Sequence, residues 1–162
     1  MAADVLRHVF RDPHEVAEHV NTDQALVHIT VAEQTRERVV FHVVCRPPTA
    51  FADAGYAIEE SRIVVPRQGK PRTYPVGAPR PWLHRNGPHG DLCLWFEGDP
   101  RGLRWEWDDG FGAYVAIVHR HLFYEEIWRR NGRWPVEEAP HGPGEHRIVT
   151  LEMQWKAKLW TP

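Results

Sequence analysis

The sequence predicts an α+β domain in which an antiparallel β-meander is flanked by an N-terminal helix and a long helix in the second half of the chain. Three observations carry this. The β-branched run Leu26-Val27-His28-Ile29-Thr30-Val31 and the second run from Arg38 to Cys45 are separated by the polar Gln34 to Glu37, the pattern of two antiparallel strands and a hairpin. Tyr56, Ile58, Ile63, Val64 and Val65 continue the series as a further strand that Pro66 ends by removing a backbone donor. Finally, Phe111, Tyr114, Val115, Val118 and Leu122 fall on one face of a helix expected from about Gly110 to Arg130.

Taken in order, the first twenty residues read as one helix or two short ones. Val5, Leu6, Val9 and Phe10 lie at helical spacing, Asp12-Pro13 restarts the pattern, and Val16 and Val20 continue it. After the three strands, six prolines from Pro66 to Pro88 argue for an extended loop packed on the core, with any fourth strand reduced. Residues 98–107 read as another loop, and Asp108 or Asp109 is expected to cap the long helix by accepting its orphan N–H groups. Asn131-Gly132 should end that helix. The apolar Ile148, Val149, Leu151 and Met153 are expected to pair as a strand or to cover the core.

A chain of 162 residues can bury one sizeable core, so a single domain over 1–162 is expected. With 42% hydrophobic and 26% charged residues and a formal net charge of −2, the composition argues against a nucleic-acid platform or a polybasic membrane anchor. No apolar run approaches the roughly 20 residues of a membrane span, and Met-Ala-Ala-Asp lacks the opening of a signal peptide, so a cytosolic protein is expected. The basic residues are mostly arginine, with lysine only at Lys70, Lys156 and Lys158, a bias that fits a GC-rich bacterial genome.

The chemistry-bearing stretch is His84-Arg85-Asn86-Gly87-Pro88-His89-Gly90-Asp91-Leu92-Cys93-Leu94-Trp95. It sets an imidazole and an amide just ahead of a cysteine. An acyl-transfer thiol must be reachable, must form thiolate and needs a donor near the developing oxyanion, and this segment offers all three. Taken alone, Leu92 to Trp95 reads rather as a short core strand with a buried thiol. Cys45, at the end of an apolar run, reads as structural. Zinc asks for four donors at recognisable spacing, and no Cys-x-x-Cys or His-x-x-x-His pair is present, so neither a metal nor a cofactor is expected. His119 and His121 are two apart on a helix, hence on opposite sides, and read as structural or solvated. His141, in Pro140-His141-Gly142-Pro143, is either a turn residue or a proton-transfer group returning to Cys93.

This segment resembles the active site of ubiquitin-conjugating E2 enzymes, in which His-Pro-Asn precedes, by a short Gly-containing loop, a cysteine in a Leu-Cys-Leu context. His84 and Asn86 hold the outer positions, Arg85 stands where the proline would be, and the loop to Cys93 is about one residue shorter than usual. The resemblance extends from Tyr74-Pro75 through Trp105 or Trp107, the long helix, Trp128 and Gly132-Arg133-Trp134-Pro135 to Ala139-Pro140-His141-Gly142. The last part looks like the E2-like proteins of bacterial ubiquitin-like conjugation and antiphage defence operons, and the resemblance covers roughly residues 74–142. It implies the E2 (UBC-like) fold, with Cys93 as thioester carrier, Asn86 holding the loop or donating to the tetrahedral intermediate, His84 bracing the loop, and His141 as a further site residue. It also implies partners: an E1-like adenylating enzyme, the C-terminus of a ubiquitin-like protein or nucleotidyltransferase as cargo, and a target protein whose amine accepts it. Asp91, Asp99, Asp108 and Asp109 are the carboxylates within reach in sequence of that amine, and each is also explained as a turn or cap residue.

Two other functions compete. One is a noncatalytic E2-like protein-binding module, since fold does not fix activity. The other is a cysteine hydrolase pairing Cys93 with His141. The chain has no glycine-rich nucleotide loop, so carboxylate activation by ATP falls to a separate partner in the conjugating reading.

Overall fold

The computed structural model describes residues 2–77, 80–86, 89–96 and 98–136. Proline at position 13 has no N–H to give to a preceding turn, and it divides the N-terminal segment into α1 (Ala2–Arg11) and α2 (Pro13–Asp23). Asp12 caps α2, its carboxylate accepting the Glu15 N–H at 3.0 Å. Val9, Val16, Ala17 and Val20 turn into the core from these helices.

Four strands follow in a meander, β1 (Val27–Gln34), β2 (Arg38–Cys45), β3 (Glu59–Pro66) and β4 (Arg72–Pro75), each antiparallel to its neighbour in the order β1-β2-β3-β4. Alternation decides which face is buried: Val39, Phe41, Val43 and Cys45 of β2 and Glu59, Ser61, Ile63 and Val65 of β3 point into the core. The register of β1 against β2 shifts between Val31 and Glu33. On the outer edge of β1, the Asn21 side chain bonds both backbone groups of Ile29, at 2.7 and 3.0 Å, so α2 covers part of an edge that would otherwise invite another strand.

The structure departs from expectation in three places. The proline-rich stretch does contain a ladder strand, β4, because Pro71 stands just before it and Pro75 closes it, leaving Arg72, Thr73 and Tyr74 to supply donors. A short helix, α3 (Thr49–Asp53), was also not foreseen. The long helix is α4 (Phe111–Asn131), ended by Gly132 at φ 67° as expected, but its N-cap is Gly110 rather than an aspartate. Asp109 instead accepts the Glu106 N–H at 2.8 Å and is clasped by Arg101, so it caps the 3-10 turn Trp107–Asp109. Phe111, Tyr114, Val115, Val118 and Leu122 join α2 and the sheet in one core, with Trp105 fully buried beside them. Among the described residues no helix is long and apolar enough to cross a membrane. The segment containing Ile148 to Met153 lies outside the described residues.

His119 is buried on α4, its Nε2 at 2.8 Å from the carbonyl of Arg46. Burial lowers its pKa below the usual histidine value, with the Arg46 contact acting the other way. The unfolded chain therefore takes up the proton first as pH falls, so the stability held above about pH 6.5 is lost progressively as pH drops toward the folded-state value. In His119→Gln, urea denaturation at a series of pH values should show a shallower fall of stability below about pH 6.5 than in the wild type. An unchanged slope would contradict this assignment.

Candidate active site around Cys93

Residues 84–86 and 90–93 pair as the two arms of a small antiparallel ribbon whose register is fixed by backbone bonds. The Asn86 N–H donates to the Asp91 carbonyl at 2.7 Å, the Cys93 N–H donates to the His84 carbonyl at 3.0 Å, and the Gly90 N–H donates to the Asn86 carbonyl at 2.9 Å. Arg85 and Leu92 face each other as the bridge pair. Gly90 is at φ 68°, and a Cβ there would fall 2.6 Å from the Arg85 guanidinium, which donates to the Gly90 carbonyl. Only glycine fits both demands.

The ribbon is tied to the body of the protein at two places. The Leu92 N–H donates to the Thr73 carbonyl at 2.8 Å, so the outer edge of β4 receives the cysteine arm. Thr73 and Tyr114 share a buried hydroxyl contact of 2.9 Å, linking that edge to α4. On the other arm, the N–H groups of Leu83 and His84 both donate to the carboxylate of Glu125 on α4, each at 2.9 Å.

Cys93 is half-buried, with Sγ 3.5 Å from the Trp95 carbonyl. Cys45 is only 2% exposed and lies in the core, where burial pushes its thiol up to about 12, with Glu59 adding to the shift. Of the two thiols, Cys93 is the one that solvent and a partner can reach. Asn86 is exposed, and its Nδ2 donates to Oδ2 of the buried Asp91 at 2.9 Å. His84 is buried, its ring 4.3 Å from that of Trp134 and 6.1 Å from that of His121. Beyond the cysteine, Trp95 lies 6.5 Å from the Trp105 ring and 6.1 Å from the Tyr114 ring, and Trp105 lies 4.8 Å from the Trp107 ring.

The fold thus brings His84, Asn86 and Cys93 onto one ribbon, with Asp91 bonded to Asn86. His141 lies outside the described residues, as do Gly87 and Pro88. His119 and His121 both turn out buried, which removes the solvated reading: His121 Nε2 stands 3.5 Å from Glu125 Oε1. Asp99 accepts the Phe96 N–H at 3.1 Å, and Asp109 caps its turn as described. Among the described residues no group of three or more histidine, cysteine and acidic side chains is gathered to hold a metal ion.

Glu125 was missed from sequence, although a signal for it exists. It follows Leu122 by three residues on the stripe begun by Phe111 and Tyr114, so a carboxylate falls where the pattern asks for an apolar side chain. Its side chain is 0% exposed. Burial pushes its pKa upward, but the hydrogen bonds from His121 and from the Leu83 and His84 N–H groups outweigh this, and the net direction is down. A second buried carboxylate, Glu59, receives Arg80 and Arg129. Both guanidiniums also lie over the Trp82 ring, at 5.3 and 4.9 Å, which fastens the segment leading into His84. Comparison of the chain with protein-family models, with curated proteins and with solved structures finds no match.

Proposed function

We propose that this chain is an E2-like conjugating enzyme whose Cys93 carries the C-terminal carboxyl of a ubiquitin-like or substrate protein as a thioester. The observation that carries the reading is the ribbon itself: a reachable thiol and a side-chain amide stand on its two arms, locked in register by the pair of backbone bonds between 84 and 93 and between 86 and 91. A four-stranded antiparallel meander before the ribbon and a 21-residue helix after it agree with the E2 resemblance. The ladder bonds use the N–H groups of Asn86 and Cys93, not of Arg85, so the proline of the resembled motif at that position would remove neither of them.

The chemistry is two acyl transfers. The Cys93 thiolate attacks the thioester carbonyl borne by an E1-like partner, the partner's thiolate leaves, and the acyl group rests on Cys93. An amine of the target then attacks that carbonyl, loses its proton, and expels the Cys93 thiolate to leave an amide. Asn86 holds the loop through Asp91 and supplies an N–H donor for the oxyanion in the second step. The setting is a bacterial conjugation system of the antiviral kind, with a separate enzyme performing the ATP-dependent activation.

The test is expression of the chain beside its genomic neighbours, followed by nonreducing electrophoresis and intact mass. Wild type and Cys45→Ala should carry a protein-mass adduct that reductant removes, and Cys93→Ala should lack it. An active E1-like partner with ATP and no such adduct on wild type would overturn the proposal in favour of a noncatalytic binding module. A product made without amide formation and dependent on Cys93 would instead favour the hydrolase.

A further inference from the structure

The stripe that buries α4 should be apolar throughout, yet its last turns carry His121 and Glu125, both hidden from solvent. A buried carboxylate is costly unless its lone pairs are filled, and here they are filled by the backbone of another segment. Oε2 accepts the Leu83 N–H and Oε1 accepts the His84 N–H, 41 or more positions away in sequence. The His84 carbonyl, on the same residue, accepts the Cys93 N–H at 3.0 Å. One carboxylate therefore holds the same residue whose carbonyl registers the cysteine arm, two positions before Asn86. His121 at 3.5 Å and the Trp134 ring, 5.5 Å from His121 and 4.3 Å from His84, enclose the pair.

We propose that Glu125 is a positioning residue of the Cys93 site, holding the Leu83 and His84 backbone to α4 and so setting where Asn86 stands relative to Cys93. The inference rests on the reading of Cys93 and Asn86 as the reacting pair. Glu125 itself touches no reacting atom; it acts through the ribbon. A carboxylate suits this task because it can accept two N–H groups at once, whereas glutamine offers one oxygen and turns its NH₂ toward the second donor. The net downward shift of its pKa agrees with a group kept as an acceptor at neutral pH. A loop held by the wrong bond misplaces its donor by an ångström or so, a displacement that costs roughly 10- to 100-fold in a step that depends on orientation.

The experiment is a double-mutant cycle of Glu125→Gln and Asn86→Ala, reading Cys93 charging and single-turnover transfer to an amine separately, with amide exchange of Leu83 and His84 measured by NMR. Glu125→Gln should keep charging within about threefold, lose roughly 10- to 100-fold in transfer, and speed exchange at those two amides. In the Asn86→Ala background the same substitution should cost almost nothing further, because the group it positions is gone. A Glu125→Gln protein that transfers at the wild-type rate, or whose loss is fully additive with that of Asn86→Ala, would overturn the proposal. So would fast exchange at both amides in wild type, or a Glu125→Gln chain that fails to fold, which would make Glu125 a structural residue only. If wild type charges no Cys93 thioester, it is the conjugating reading that fails, and the exchange data still judge the anchor.

Discussion

Replacing Asn86 with alanine is expected to slow transfer from the Cys93 thioester to an amine by roughly 10²- to 10³-fold while leaving charging within about tenfold of wild type. The size follows from what a single oxyanion donor contributes in acyl transfer. The asymmetry follows from the two steps: thioester exchange between sulfur atoms demands less of a positioned donor than attack by a neutral amine, whose tetrahedral intermediate must also lose a proton before the thiolate leaves. Asn86 has a second task in this fold, because its Nδ2 donates to the buried Asp91 at 2.9 Å. Asp91→Ala separates the two. It removes the brace and keeps the amide, so its transfer defect should be the smaller. Single-turnover rates for Asn86→Ala and Asp91→Ala check this, and equal losses in charging and transfer for Asn86→Ala would reduce the residue to a loop brace. A hydrolase built on Cys93 would be nearly indifferent to the substitution.

The largest loss of stability is expected from Glu59→Ala. Glu59 lies on the core face of β3, opposite Cys45, and receives Arg129 from α4 and Arg80 from the segment leading to the site. Burial pushes its carboxyl up and Arg129 and Arg80 pull it part of the way back, leaving it raised to about 7, so it is mostly ionised at pH 8. Removing it strands two guanidiniums. Breaking a buried pair from one side costs about 3–5 kcal/mol. Arg129 keeps a contact of 3.0 Å with Glu126, and Arg80 is partly exposed, which places the loss at the lower end, about 3 kcal/mol or ~10 °C in Tm for a chain of this length. Thermal denaturation at pH 8 measures it, with Glu59→Gln as the control that keeps one acceptor and should lose less. A shift within about 2 °C would show that the guanidiniums find water instead.

Much of this fold is legible in the residues because burial imposes a period. Phe111 through Leu122 repeat at helical spacing, and Val39 through Cys45 are an apolar run rich in β-branched residues and set off by polar ones, so α4 and β2 follow from the residues alone. Where a single backbone bond decides, pattern is silent. β4 is four residues long, and whether Arg72 to Pro75 pairs with β3 depends on where Pro71 and Pro75 fall in the ladder. Asp109 was an equally good cap for α4 or for the turn before it, and the nearby Arg101 guanidinium favours the turn.

The site was legible in a similar proportion. His84, Asn86 and Cys93 are close in sequence, so a short turn had to bring them together. Glu125 reaches the same ribbon from 41 residues beyond His84, through backbone N–H groups that carry no side-chain signature. The hint was a charge on an apolar stripe, and its partner could not be named before the chain was folded. Asp91 was one of several carboxylates in reach until its burial and its bond to Asn86 distinguished it.

The most direct test is to charge Cys93 with its cargo, isolate the thioester, and follow its decay with and without a lysine-bearing acceptor. Decay should accelerate with acceptor concentration and yield an amide-linked product of the combined mass, in wild type and Cys45→Ala alike. A thioester that disappears at the same rate with or without acceptor, leaving free cargo only, would contradict the account.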